Sequence, residues 1–262
     1  MKNFAKLVIF AFTGVLTAGC GSAAGVADEA EAIESLERDF GGPDALMTFL
    51  ESNREPQVRA ALGAYGMRYV VHDEPTDVQA YELITDCPQY FPSSDRTAWH
   101  GLNGEYYYVD GSGRPSRAYT YFSPVASEPR ATSCQTSVGQ WGDAEGPDDY
   151  DGGHMIGSQL GGWGKRANLV PQQFNFNRGN WVAVENKLAK CDAVPAGRIR
   201  YQVNVGYSNS TKLVPSTFGA QINNTSTGAS VSLSFTNTAG GGSNGTSEKN
   251  RGVTFLTNQG CN

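Results

Sequence analysis

Asp151-Gly152-Gly153-His154-Met155-Ile156, then Asn168-Leu169-Val170-Pro171-Gln172, then Asn177-Arg178-Gly179-Asn180-Trp181 and Glu185 decide how this chain is read. Two glycines ahead of a histidine let the backbone bend sharply and deliver an imidazole from the end of a strand into an open cleft. From Asn177 onward the pattern is helical. Asn177 is a good N-cap residue, and Trp181, Val184 and Leu188 recur at i, i+3 and i+7 as a buried stripe. Glu185 borders that stripe and needs a partner, because an unpaired buried charge is costly. Asn177 lies eight residues earlier, about two helical turns away and on much the same side. A cap amide and a helix carboxylate facing one cleft could share a hard cation through oxygen ligands and waters. The alternative is an ordinary ion pair between Glu185 and a Lys or Arg.

The rest of the chain sets the bounds. Its 262 residues suffice for one large domain or two small ones with a sizeable core. Gly, Tyr and Phe are plentiful, which favours strands and long loops over a helical bundle. Lys2 and Lys6 followed by the apolar run Leu7 to Leu16 read as an export signal, too short to span a bilayer. The run ends Leu16-Thr17-Ala18-Gly19-Cys20, which resembles the lipobox of bacterial lipoproteins. That likeness implies a lipid anchor on Cys20 and a place in the cell envelope; plain secretion is the alternative. Cys87, Cys134, Cys191 and Cys261 then form an even set that predicts two disulfides, with all three pairings open.

The net charge of −6 resides in residues 21–60, where nine acids face three bases. Residues 61–262 hold 15 bases against 17 acids, near neutrality. That excludes a tight architectural nucleic-acid binder and suits an enzyme that attracts phosphates locally. Residues 28–63 have apolar positions at helical spacing, with Pro43 where a second helix would start. They either pack on the main domain or form a stalk. Arg68 to Val71, Tyr106 to Val109, Tyr119 to Phe122, Arg198 to Val205 and Ser230 to Phe235 read as strands, and Ser123 to Tyr150 as loops. The tail from Asn223 to Asn250 carries a flexible Gly240-Gly241-Gly242. No later transmembrane span and no protein partner are evident in the sequence.

Other motifs fall away on inspection. Asp148, Asp149 and Asp151 lack the downstream Glu of a calcium loop. Gly161 to Arg166 lacks phosphate-loop spacing and reads as a connection between strands, in which Lys165 and Arg166 either touch a phosphate backbone or form a solvated turn. His72 and His100 read as structural, and Tyr106 to Tyr108 as strand core.

The segments quoted first, in their order and spacing, resemble the DNA/RNA non-specific endonuclease family, over about residues 65–220. That resemblance implies an α+β fold with a mixed or antiparallel sheet and a ββα-metal (His-Me finger) site. With the features read above, the chain divides into a signal peptide (1–19), a tether with the acidic helices (20–64), the endonuclease domain (65–220) and a Gly/Ser/Thr/Asn-rich extension (221–262). The resemblance implies His154 as general base, Asn177 as direct ligand of one Mg²⁺ with Mn²⁺ as a substitute, and Glu185 holding a water of that ion. Asn168 would support the loop or such a water. The implied substrate is DNA, with RNA as a second polymer, cut by one-metal phosphodiester hydrolysis. Better-known members have an Arg where Gly152 stands, so the guanidinium for the transition state must come from elsewhere. Arg130 is the first candidate and Arg178 the second. A catalytically lapsed nuclease fold with a binding or structural role is the alternative, and the presence of His154, Asn177 and Glu185 together argues against it.

Overall fold

Tyr106-Tyr107-Tyr108-Val109 is a continuous apolar run, the pattern of a strand covered on both faces. The computed structural model describes residues 25–72, 87–102, 104–122, 132–191, 194 and 198–262. Cys20 and Arg130 lie outside these described residues. The strands are β1 (Arg68–Val71), β2 (Ala98–Leu102), β3 (Glu105–Val109), β4 (Pro115–Phe122), β5 (Tyr150–His154), β6 (Leu169–Gln173), β7 (Ile199–Gly206), β8 (Thr217–Asn224) and β9 (Ser230–Thr236). Seven of them form one sheet in the order β1-β2-β3-β4-β7-β8-β9, while β5 and β6 make a separate hairpin. β1 and β2 are parallel and all other neighbours antiparallel. The class is α+β with a mixed, mostly antiparallel sheet, as expected.

Alternation along β3 sorts the two faces. Tyr106 and Tyr108 join Trp99 and Tyr119 beneath helices α1 (Gly25–Phe40), α2 (Pro43–Ser52) and α3 (Glu55–Gly63), with Leu36, Leu46, Leu50 and Leu62 filling that layer. Tyr107 and Val109 point the other way, into a core shared with the hairpin and the helices that follow it. The acidic helical region thus packs on the sheet, and its carboxylates dock it. Glu37 pairs with Arg117 at 2.6 Å, and Asp44 with Arg200 at 2.5 Å. Glu29 accepts from Tyr108 Oη at 2.7 Å and from Gly111 N at 2.8 Å.

The C-terminal stretch belongs to the same layers. β8 runs through position 220, and the residues read as an extension supply β9 and the last helix, α7 (Gly245–Asn258). Gly240, Gly241 and Gly242 all have positive φ and form a tight turn into α7, held by Asn180 Nδ2 donating to Gly240 O at 2.6 Å. They are a built turn where a flexible run was expected. β9 is the sheet edge, and α7 covers it: Ser234 N donates to Glu248 at 3.0 Å, and Arg251 donates to Ser232 O at 3.2 Å.

One expectation is overturned outright. Within the stretch read as loop, Thr132–Asp143 is helix α4. It is built from weak helix formers, with Gly139 and Gly142 inside it, so tertiary contact holds it. A Cβ at Gly139 would stand 2.7 Å from Tyr150 O, and one at Gly142 2.7 Å from Tyr150 Cβ. Those glycines let α4 lie directly on the hairpin. Disulfides join Cys87 to Cys134, at the start of α4, and Cys191 to Cys261. No helix among the described residues is long and apolar enough to cross a membrane.

Candidate active site

β5 and β6 pair antiparallel, with Asp151 opposite Gln172 and His154 opposite Leu169. The glycines of the motif do not bend the strand: neither Gly152 nor Gly153 has positive φ. Their role is close approach. A Cβ at Gly152 would lie 2.2 Å from Gln135 O on α4, and one at Gly153 2.2 Å from Gln172 Oε1. Gly152 therefore stands where α4 leaves no room for an arginine.

β6 runs straight into a helix: α5 (Phe174–Phe176), a π-helical stretch Asn177–Trp181, and α6 (Val182–Leu188). Gln173 is the cap, accepting from Phe176 N at 3.0 Å. Asn177, expected as the cap, is therefore inside the helix, three residues past its first residue Phe174. Eight residues of regular α-helix turn about 800°, roughly 80° beyond two full turns. The π stretch inserts a residue into one turn and takes up that excess, so Asn177 and Glu185 both reach one cleft. Trp181, Val184 and Leu188 are buried as the spacing predicted, and Glu185 beside them is only 4% exposed.

His154, Asn177, Arg178 and Glu185 line a cleft of about 700 Å³ between α4, the hairpin end and the π-helical turn. His154 is buried at the strand end, with Gln135 Nε2 at 3.2 Å from Nδ1 and 3.3 Å from Nε2. Glu185 Oε1 accepts from Gly157 N at 2.8 Å, tying the helix to the loop after β5. Beneath it lies Tyr201 of β7, wholly buried, whose phenol is pushed well above its ordinary range by burial and then by the charge of Glu185. Asp151 Oδ2 accepts from Asn177 Nδ2 and from Arg178 Nε, each at 2.9 Å, and its Oδ1 accepts from Arg178 Nη2 at 2.9 Å. The Arg178 guanidinium also lies 4.2 Å over the Phe174 ring.

Three expected site residues stand elsewhere. Asn168 is fully buried. Its Oδ1 accepts from Ile156 N at 2.9 Å, and its Nδ2 donates to Ile156 O and Trp163 O at 2.8 and 2.9 Å. It clamps the loop between the two strands and does not face the cleft. Arg166 is 1% exposed, donates to Leu169 O and Gln89 O, and burial lowers its pKa to about 10. A guanidinium so enclosed cannot meet a phosphate, which corrects its reading as a substrate contact. Lys165 lies beside Trp163 and lines a separate pocket with it and Arg166, away from the cleft. Two cleft residues went without a role in the sequence reading. Asp151 stood in the quoted motif, so its carboxylate was the signal available. Gln135 comes from the helix that composition hid.

The donors present bear on whether a cation fits. No cluster of three or more His, Cys, Asp or Glu side chains able to hold a metal exists among the described residues. Asn177 gives its amide nitrogen to Asp151, which turns its oxygen away from that carboxylate. One neutral oxygen donor, a nearby carboxylate and a roomy polar cleft fit a hard cation that keeps most of its waters.

Comparison with known proteins places these features. A model of the DNA/RNA non-specific endonuclease family matches residues 96–226, which include both hairpin strands, the loop between them and the π-helical turn. Among solved structures, the chain is similar to NucA from Streptococcus agalactiae with no metal bound: 19% identity over 51% of this chain and 70% of that one, TM-score 0.39. It is similar also to NucA from the same organism with magnesium ion bound: 19% identity over 51% of this chain and 71% of that one, TM-score 0.38. With the family model spanning half of its length, this chain belongs to the DNA/RNA non-specific endonuclease family.

Proposed function

We propose that the chain is a sequence-non-specific endonuclease that hydrolyses phosphodiester bonds of DNA and RNA, with His154 as general base and one divalent cation, Mg²⁺, in the cleft. The observation that carries this reading is the convergence of His154, Asn177 and Glu185, spread over 32 positions of sequence, on one cleft. His154 takes the proton of the attacking water, a task suited to a group whose ordinary pKa lies near neutrality. Asn177 would hold the cation through its amide oxygen, and Glu185 would hold one of its waters. When bound, Mg²⁺ supplies the positive charge that polarises the scissile phosphate and stabilises the leaving oxygen. Asp151 keeps the Asn177 amide turned the right way. Asn168 acts from behind, by fixing the loop whose Gly157 N holds Glu185. Arg178 stands at the cleft to meet a phosphate, while Arg130, the first candidate by sequence for that charge, lies outside the described residues.

The same proposal has the chain exported, anchored by lipid on Cys20. Two disulfides support export, since such bonds persist in oxidising compartments. Cys20→Ser would then release the protein from the membrane fraction into the medium. The activity itself is tested with purified protein on supercoiled plasmid and on RNA, with Mg²⁺ and with EDTA. Cleavage that EDTA abolishes is expected. No cleavage of either polymer would instead favour the lapsed-nuclease alternative.

A further inference from the structure

Gln135 lies outside every motif of the endonuclease site, yet its amide nitrogen is the atom placed against the His154 ring, nearly equidistant from both ring nitrogens. Several independent contacts fix it there. Gly139 and Gly142 let α4 settle on Tyr150, and Gly152 lets the Gln135 backbone touch β5, with no room for a Cβ at any of the three. The neighbouring Cys134 is bonded to Cys87, which pins the start of α4. Gly152 and His154 are two apart on a strand and so face the same side. The contact that excludes a side chain at 152 is therefore the one that brings Gln135 to the ring.

We infer that Gln135 is a positioning residue for His154: held by this contact, its amide fixes the orientation of the imidazole and with it the nitrogen that faces the cleft. The inference rests on the reading of His154 as general base. A neutral imidazole has one nitrogen that donates and one that accepts, and only the accepting nitrogen can take a proton from water. Nearly equal distances to the two ring nitrogens put the Gln135 amide over the ring face, where it sets how the imidazole lies and so which nitrogen faces the cleft.

The test uses the full chain with Gln135→Met, which keeps the length of the side chain and removes its hydrogen bonds, and Gln135→Glu, which keeps its shape and replaces the N–H donor by an acceptor. Both should retain the wild-type melting temperature, and kcat should fall about 10- to 100-fold with KM little changed. The chain has only three histidines, so imidazole ¹⁵N spectra of the metal-free protein, assigned with His154→Ala, report the setting of the His154 ring directly. Its pattern should change in both variants. Wild-type kcat together with an unchanged His154 pattern in either folded variant would overturn the inference. If His154→Ala is inactive in that case, only the role of Gln135 fails. If His154→Ala is itself fully active, the reading of the base fails and this inference with it.

Discussion

Asp151 Oδ2 accepts a hydrogen bond from Asn177 Nδ2 at 2.9 Å, joining the strand that carries the histidine to the π-helical turn that follows β6. Only the NH₂ of an amide can donate to a carboxylate, so this bond decides which atom of Asn177 is left for a cation. Asp151→Asn removes that discrimination and loosens Arg178 as well. The Mg²⁺ concentration for half-maximal activity should rise about 10- to 100-fold, the usual effect of losing a group that orients a ligand. Titrating activity against Mg²⁺ in both proteins measures it, and an unchanged midpoint would remove Asp151 from the account.

Gly152→Arg restores the residue found in better-known members of the broader family, and the expected result is loss. A Cβ at this position meets Gln135 O at 2.2 Å, so α4 must move. Overpacking of this kind costs about 1–3 kcal/mol or more. The melting temperature should drop and nuclease activity should fall with it. A stable, more active Gly152→Arg protein would show that α4 does not hold this place in solution.

How far the sequence foretells this site depends on which forces shape each part. The hairpin, its following helix and the three N-terminal helices are written in local pattern: the Trp181, Val184, Leu188 stripe and the Pro43 start both stand in the structure. Helix α4 is not. Its Thr, Ser and Gly content argues against a helix, and the glycines matter only through Tyr150, a partner that local pattern does not reveal. The same holds for Gly152 and Gly153, whose small size serves contact with Gln135 and Gln172 and not a bend. Asn177 misled as a cap because Gln173 starts the helix earlier and a π turn compensates. Arg166 looks like a phosphate contact by composition, while its path through the loop buries it against Leu169 O and Gln89 O.

The Cys191–Cys261 bond ties the residue just past α6 to the chain end beyond α7, across a separation of 70 residues. Closing so long a loop in the unfolded chain stabilises the fold by about 2–5 kcal/mol. The double variant Cys191→Ser/Cys261→Ser should lose that amount in urea denaturation. An unchanged unfolding midpoint would contradict the prediction.

His100 gives stability a pH dependence. It is 1% exposed, its Nε2 meets Asp95 O at 3.0 Å and its Nδ1 meets His72 Nε2 at 2.9 Å. Burial lowers its pKa below the ordinary 6.5. Below 6.5 the unfolded chain takes up a proton that the folded chain refuses, so this contribution is present above 6.5 and is lost as pH falls toward the folded value. Melting temperature should decline from pH 7.5 to 5.5, and less steeply in His100→Gln. Equal slopes in the two proteins would contradict it.

Every step proposed for this site depends on the role of His154 as general base. That role is tested most directly by single-turnover nicking of supercoiled plasmid at saturating Mg²⁺ by wild type and His154→Ala, each checked for an intact fold. A fall of about 10²- to 10⁴-fold is expected in the variant, and nicking by His154→Ala at the wild-type rate would rule out this role.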